Sequence, residues 1–171
     1  MPERYCYRYP HPAVQVDAVL LSVIAGRLHV LLIRRGTPPY EGCWAFPGGY
    51  MEIDETLEQA VSRELREETG LAAIPLRQVA AFSRIDRDPR ERAVSVAFYA
   101  AVDADRLKPQ TSDEARAVEW FPADDPPALG FDHADILATA LRRLRTDLAD
   151  PRIFEQCLSA KELKAILDKL E

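Results

Sequence analysis

Three glutamates set close together, Glu64, Glu67 and Glu68, are the residues of this chain best suited to chemistry. They end a stretch from Gly49 to Leu71, GYMEIDETLEQAVSRELREETGL, in which seven acids (Glu52, Asp54, Glu55, Glu58, Glu64, Glu67, Glu68) face two bases, Arg63 and Arg66. That balance of −5 is nearly the whole formal charge of −6, so the rest of the chain is close to neutral. Carboxylates grouped this way are ligands for a hard divalent cation, and with a bound phosphate they could hold one between them.

A helix would have to position them. Asp54 or Thr56 can serve as N-cap, Thr56 with Gln59 forming a capping box, and Gly70 suits the left-handed residue after the last turn, with Leu71 as the apolar residue beyond. At about 100° per residue, Leu57, Ala60, Val61 and Leu65 form an inward stripe, and Glu64, Glu67 and Glu68 fall on the same side. Gln59, Ser62 and Arg66 point outward. Like charges three or four residues apart repel, and carboxylates near a helix C-terminus oppose its dipole. Something positive should offset this cost. A divalent cation would, and Arg63, four residues before Glu67, would in part. A merely solvated acidic face is the simpler alternative, weakened by the side shared with the apolar stripe.

The flanking segments read as strands and further helices. Val14 to Ile24 and Leu28 to Ile33 make an apolar hairpin around Gly26-Arg27. Trp44-Ala45-Phe46 reads as a short strand leading to a turn at Pro47-Gly48-Gly49. Ile74 to Phe82, Ala93 to Val102 and Val118 to Phe121 read as three more strands, with Asp103 to Ala117 polar and irregular. Asp132 caps an amphipathic helix from His133 to Leu148, and Ser159 caps a last one built on Leu163, Ile166, Leu167 and Leu170. The domain organisation expected is an N-terminal arm over residues 1–13 with Tyr5, Tyr7 and Tyr9, one domain over 14–148, and a helical extension over 149–171 packed on it.

Composition bounds the function. With 171 residues, 47% hydrophobic and 29% charged, the chain is an ordinary globular protein with room for one substantial core. No apolar run reaches the roughly 20 residues of a membrane helix, and the N-terminus lacks a signal-peptide pattern, so a cytoplasmic protein with no membrane partner is expected. An isoelectric point near 5.2 argues against a nucleic-acid surface but allows a small anionic substrate held through a metal. Cys6, Cys43 and Cys157 suggest neither disulfides nor zinc.

Other candidates lie outside the helix. Arg34 and Arg35 end a strand just before the Gly-Gly turn, where one of them could reach a phosphate. The charged loop Ser83 to Arg92, with Arg84 and Asp86, suits either a solvated hairpin connection or a loop that faces substrate or a second subunit. Glu114 could approach the helix carboxylates. His133 reads as a first-turn surface residue within reach of a ligand.

Gly49, five residues, Glu55, seven residues, then Arg63-Glu64-Leu65-Arg66-Glu67-Glu68-Thr69-Gly70-Leu71 resembles the signature box of the Nudix hydrolases at every defined position. The resemblance implies an α/β (α+β) fold, a mixed β-sheet sandwiched between helices, and hydrolysis of a nucleoside diphosphate linked to another moiety with Mg²⁺ or Mn²⁺. Carried over, Glu64, Glu67, Glu68 and the Gly49 carbonyl would be metal ligands. Arg63 would hold loop and helix together and Glu55 would support it; Glu64, then Glu114, would be the base that orients water. The segments at 14–18, 31–36, 86–90 and 131–137 are similar to short ADP-ribose pyrophosphatases, implying ADP-ribose plus water to AMP and ribose 5-phosphate. They also resemble the sensor domains of transcriptional regulators of NAD metabolism. The 27 residues from Arg145 onward carry five basic and six acidic side chains, a segment shorter than a small domain and not basic, so an enzyme is expected over such a regulator. Another nucleotide, a damaged triphosphate or a sugar nucleotide, would keep the enzyme class. The resemblance and the aromatic arm suggest a homodimer.

Overall fold

The structure is a computed structural model and describes residues 6–112 and 115–154. In chain order its elements are β1 (Ala13–Ile24), β2 (Arg27–Arg35), β3 (Trp44–Ala45), β4 (Gly48–Tyr50), α1 (Leu57–Thr69), β5 (Arg77–Phe82), β6 (Ala93–Ala101), β7 (Ala115–Pro122) and α2 (His133–Asp147). The seven strands form one mixed sheet, in which β1 and β6 run parallel and the other pairs are antiparallel.

The register explains where the Gly-Gly segment sits. One edge of β1 is taken by β6 from Ala13 to Leu21, and one edge of β2 by β7 from His29 to Arg35. The facing edges of β1 and β2 pair with each other only over Leu21–Ile24 and Arg27–Val30. Beyond that the two strands splay apart. The chain from Trp44 to Tyr50 fills the gap, β3 pairing with β2 at Ile33 and Arg34, and β4 pairing with β1 at Gln15 to Asp17. The expected turn at Pro47–Gly49 is therefore replaced by a short strand at Gly48–Tyr50, held also by the Ala18 N–H donating to the Pro47 carbonyl at 2.8 Å. Gly48 is confined there, because a Cβ would lie 2.1 Å from the Val16 carbonyl oxygen.

Side chains alternate across β1 and divide the core in two. Val19 and Leu21 join Val30, Leu32, Phe46, Ala97 and Tyr99 under Ile136, Leu137, Ala140 and Leu144 of α2. Val16, Ala18 and Leu20 join Leu31, Val96, Phe98 and Ala100 under Ala60, Val61 and Leu65 of α1. The sheet is thus sandwiched between two helices, the α/β layering expected. No helix among the described residues is long and apolar enough to cross a membrane.

α1 forms as its caps dictate. Thr56 and Gln59 make the reciprocal capping box, and Gly70 closes the helix at φ 72°, its N–H donating to the Arg66 carbonyl. α2 departs from expectation at its start. Asp132 occupies the N-cap position but makes no side-chain capping bond, because its carboxylate is engaged by Arg87. Strand β7 begins at Ala115, earlier than its apolar pattern indicated, and β5 begins at Arg77 rather than Ile74. The expected helix capped by Ser159 lies outside the described residues.

Candidate active site

The capping box and the apolar stripe of α1 fix its rotation, and that rotation turns Glu64 and Glu68 toward the strand β4. Both carboxylates are buried. Glu68 accepts the Gly48 N–H at 2.8 Å. Glu64 lies so close to Gly49 that a Cβ there would stand 2.5 Å from its Oε1. Gly49 is therefore required by the carboxylate and not by its own backbone angles. Together with Gly36, Thr37, Tyr50, Met51 and Glu52, these residues line a pocket of about 340 Å³.

Arg63 binds the loop ahead of α1 to the helix itself. Its guanidinium donates to both Glu55 oxygens at 2.6 and 2.9 Å, to the Tyr50 carbonyl at 2.9 Å, to Glu64 at 2.8 Å and to Glu67 at 3.1 Å. Hydrogen bonds from Arg63, then from the backbone, hold the Glu55 carboxyl at about 2, well below its ordinary value, and Glu55 in turn raises Arg63. Glu67 differs from its two neighbours on the helix. It is exposed, among the described residues reaches only Arg63 and Arg66, and does not line the pocket.

A second, narrower pocket opens beside the first and shares Arg35, Gly48, Gly49 and Arg90 with it. Its floor is a buried polar network contributed by the loop between β5 and β6. Arg87, 2% exposed, forks onto both oxygens of Asp132 at 2.8 and 3.0 Å and donates to the Gln15 oxygen at 2.7 Å. Gln15 donates to Asp88, Ser95 donates to Asp17, and Asp88 receives Arg90 at 2.7 and 3.0 Å. Burial alone would raise the Asp88 carboxyl, but the hydrogen bonds from Arg90 and Gln15 outweigh it and hold the group at about 2. The charged loop is thus internal at Arg87 and Asp88, while its other residues are exposed.

His133 is buried, in contrast to the surface position expected for a first-turn residue. Its ring stacks on Phe46 at 5.0 Å and on Phe131 at 5.4 Å, and Nδ1 accepts the Phe46 N–H at 3.0 Å. The proton of the neutral ring then sits on Nε2, facing Asp17 at 3.4 Å. Burial lowers the His133 pKa, with Asp17 and Asp132 opposing. The side chain lines the narrow pocket but its polar atoms are committed to the protein.

Of the other candidates, the structure brings Arg35 to both pockets. Arg34, one residue earlier and on the opposite face of β2, donates to the Gly42 carbonyl and lines neither. Arg84 and Asp86 pair with each other at the exposed tip of their loop, away from both pockets. These three do not join the site, because strand alternation and the burial of Arg87 turn them outward. Glu114 lies outside the described residues. Arg90, Phe131 and Asp17 were not singled out from the sequence, and all three line the narrow pocket. The segments containing them stand out as 14–18, 86–90 and 131–137, but one sequence cannot show that these segments meet.

A family model described as NUDIX domain matches residues 13–144. The chain belongs to the Nudix family. It is 40% identical over 134 residues to an ADP-ribose pyrophosphatase of Methanocaldococcus jannaschii, spanning 78% of this chain and 76% of that protein. It is 35% identical over 140 residues to the ADPR responsive transcriptional repressor NtrR of Acinetobacter baylyi, spanning 80% of this chain and 56% of the repressor. Among solved structures, a MutT/nudix family protein from Enterococcus faecalis superimposes with a TM-score of 0.84 at 28% identity, covering 98% of this chain and 76% of that one. The NUDIX domain of Shewanella oneidensis NrtR complexed with ADP ribose gives 0.73 at 32% identity, covering 80% and 90%. The Nudix box of this chain accordingly runs from Gly49 at the edge of the pocket to the cap of α1, and its two buried carboxylates face the Gly-Gly strand.

Proposed function

We propose that this Nudix protein hydrolyses a nucleoside diphosphate linked to another moiety, with ADP-ribose as substrate and AMP and ribose 5-phosphate as products. The observation that carries the reading is the pair of buried glutamates, Glu64 and Glu68, presented one helical turn apart against Gly48 and Gly49 in a pocket that also holds Arg35 and Arg90. The 40% identity to an ADP-ribose pyrophosphatase supports the choice of substrate.

The donor set fits Mg²⁺ or Mn²⁺. Among the described residues no three histidines, cysteines or acids converge on a ready-made metal cage. Mg²⁺ does not require one, since it is commonly held by one or two carboxylates together with substrate phosphates and water. Glu64, Glu68 and the Gly49 carbonyl would hold the ion, with Glu67 reaching it only by leaving Arg63. When bound, the ion supplies neutralisation of phosphate charge and a more acidic water. Arg63 keeps Glu64 in place and fixes the loop carbonyl of Tyr50, so the carboxylate does not have to be organised when substrate arrives. Glu64 is the group placed to orient or deprotonate the attacking water.

A second reading is favoured by the similarity to a repressor that responds to ADP-ribose: a sensor that binds the same ligand without cleaving it. One experiment separates the two. Purified protein with Mg²⁺ is offered ADP-ribose, dinucleotides, sugar nucleotides and nucleoside triphosphates, and product release and binding are both recorded. AMP from ADP-ribose is expected. Tight binding of ADP-ribose with no turnover would select the sensor, and rapid turnover of a triphosphate alone would select a different substrate. Wild-type turnover in both Glu64→Gln and Glu68→Gln would remove the two carboxylates from the chemistry.

A further inference from the structure

Between Ala45 and Gly48 the chain crosses from the edge of β2 to the edge of β1, and in that step its backbone leaves the sheet ladder. Ala45 pairs with Ile33 of β2, and Gly48 is the first residue paired with β1, opposite Asp17. Each buried N–H in such a crossing needs a partner from elsewhere. Pro47 has none to donate. The other two are taken by side chains: Phe46 donates to Nδ1 of His133 at 3.0 Å, and Gly48 donates to Glu68 at 2.8 Å. The two acceptors come from opposite layers of the sandwich. His133 is the first residue of α2, the helix under which Phe46 packs, and Glu68 lies in the last turns of α1 on the other face of the sheet.

His133 is held firmly enough to act as a fixed point. It is 4% exposed, and its ring lies nearly parallel to that of Phe46, with 12° between the planes. Asp132, the residue before it, is gripped by Arg87 through both carboxylate oxygens, which ties the start of α2 to the loop between β5 and β6. Nε2 faces Asp17, the residue of β1 opposite Gly48, at 3.4 Å. Asp17 is itself fixed by the Ser95 hydroxyl. One imidazole therefore touches both ends of the crossing, the amide where it leaves β2 and the side chain beside which it joins β1.

A shift of this backbone would be felt at the carboxylates in two ways. Glu68 follows the Gly48 N–H that it accepts. Glu64 stands so close to Gly49 that any advance of the strand by a few tenths of an ångström displaces it. A buried amide that loses its acceptor carries an uncompensated desolvation cost, and the segment relieves that cost by turning toward another partner. Loss of the acceptor at His133 would therefore be passed along Phe46 and Pro47 to Gly48, Gly49 and the two glutamates.

We infer that His133 is a positioning residue: by accepting the Phe46 N–H from the α2 side of the sheet, it sets the backbone that presents the Gly48 N–H and the Gly49 carbonyl to the carboxylates of α1. This role, which rests on the reading of the pocket as a metal-assisted hydrolase site, belongs to a side chain of the opposite helix layer whose ring nitrogens are turned to the protein. It resides in one atom, Nδ1, and not in the bulk of the ring. Supporting groups behind a metal site govern its affinity and activity because they orient the ligands themselves.

Three substitutions separate the atom from the bulk. His133→Asn puts a carbonyl oxygen near the place of Nδ1 and can take the Phe46 N–H; His133→Gln, one methylene longer, puts its amide near Nε2, toward Asp17; His133→Leu fills the space with no acceptor. Two quantities are read at a temperature where near-UV circular dichroism shows each variant folded: the affinity for Mn²⁺ alone, from the electron paramagnetic resonance of the free ion, and kcat and KM for ADP-ribose with Mg²⁺. His133→Gln and His133→Leu should weaken Mn²⁺ binding and lower kcat by about ten- to a hundred-fold, with KM little changed, while His133→Asn retains most of both. A ring that only fills space predicts the reverse order, since asparagine leaves the largest gap. If leucine does not fold, asparagine and glutamine carry the comparison, being alike in polarity and different by one methylene. Mn²⁺ affinity and kcat in His133→Gln equal to wild type, or an asparagine variant as impaired as the glutamine one, would overturn the role of His133 even with ADP-ribose turned over normally by the wild type. Mn²⁺ affinity that follows the predicted order in a protein that cleaves none of the substrates would keep that role and dismiss the hydrolase.

Discussion

Replacing Gly49 by alanine should disable catalysis while leaving the fold nearly intact, and the structure sets the size of both effects. The added Cβ would meet Glu64 Oε1 at 2.5 Å, Cδ at 2.7 Å and Oε2 at 2.8 Å, where ordinary contact begins at 3.4 Å. The carboxylate must retreat by about 1 Å, a misplacement that typically costs about 100-fold in rate, or about 2.7 kcal/mol of activation free energy. Retreat also disturbs the 2.8 Å hydrogen bond from Arg63. The atoms displaced belong to the tip of a flexible side chain, so the stability cost should stay near 1 kcal/mol, the low end for overpacking. Gly48→Ala is the internal contrast. There the Cβ would strike the Val16 carbonyl oxygen at 2.1 Å, inside the β1–β4 pairing, and no side chain can yield. That variant should lose about 3 kcal/mol or more and melt roughly 6–12 °C lower. Thermal unfolding together with steady-state release of AMP from ADP-ribose reads both quantities. A Gly49→Ala protein that melts normally and turns over within twofold of wild type would refute the placement of Glu64 at the reacting centre.

Further outcomes follow from the same contacts. Chelation of divalent metal should abolish hydrolysis without lowering the unfolding midpoint appreciably, because Arg63 and the Gly48 N–H already satisfy Glu64 and Glu68; a chelator that unfolds the protein would show the ion to be structural. Glu55 and Asp88 are both held at about 2 in the folded state, below their usual values near 4 when unfolded. A lowered folded-state pKa stabilises above the unfolded value, so the unfolding midpoint should drop as pH falls from about 4 toward 2, and Arg63→Met should flatten part of that drop. Tyr99→Phe removes the hydroxyl that donates to Asp147 at 2.6 Å in the interface between α2 and β6. It should cost about 1.5–3 kcal/mol, measured by denaturant unfolding, with the rate of hydrolysis unchanged because Asp147 lies outside both pockets.

What could be read from the sequence was local. The capping box of Thr56 and Gln59, the left-handed Gly70 and the side shared by Leu65 with Glu64 and Glu68 all depend on residues within one or two turns, and the helix forms as they require. The apolar strands β1, β2 and β6 were legible for the same reason, whereas β5 and β7 begin at residues their apolar pattern did not indicate. Gly48–Tyr50 was not legible as a strand because it has no alternation of its own; it pairs because β1 and β2 diverge beside it. The burial of Arg87 and His133 was equally hidden, since it is licensed by Asp132, Gln15 and the Phe46 N–H, two of which lie more than 70 residues from the group they satisfy. A charged loop looks solvated in sequence whenever its partners are remote.

The distinction between a hydrolase and a sensor of the same ligand comes down to which wall of the pocket is indispensable. A sensor needs the groups that grip the ligand in its ground state, and a wall made by Arg35 and Arg90 in the same pocket would suit that task without any bond being broken. It gains nothing from two buried carboxylates aimed at a diphosphate, which in the absence of a cation would repel it. Here Glu64 and Glu68 are both buried, and each is preset by a donor, Arg63 for one and the Gly48 N–H for the other. Gly49 leaves Glu64 no slack. Such precise support is wasted on binding alone but is what a transition state demands, because interactions that accelerate a reaction are those that strengthen as charge develops. The two walls should therefore separate on mutation: substitutions at Arg35 and Arg90 should act chiefly on KM, and substitutions at Glu64 and Gly49 chiefly on kcat. If both sets changed only ligand affinity, with no chemical step to slow, the carboxylate wall would be serving a sensor.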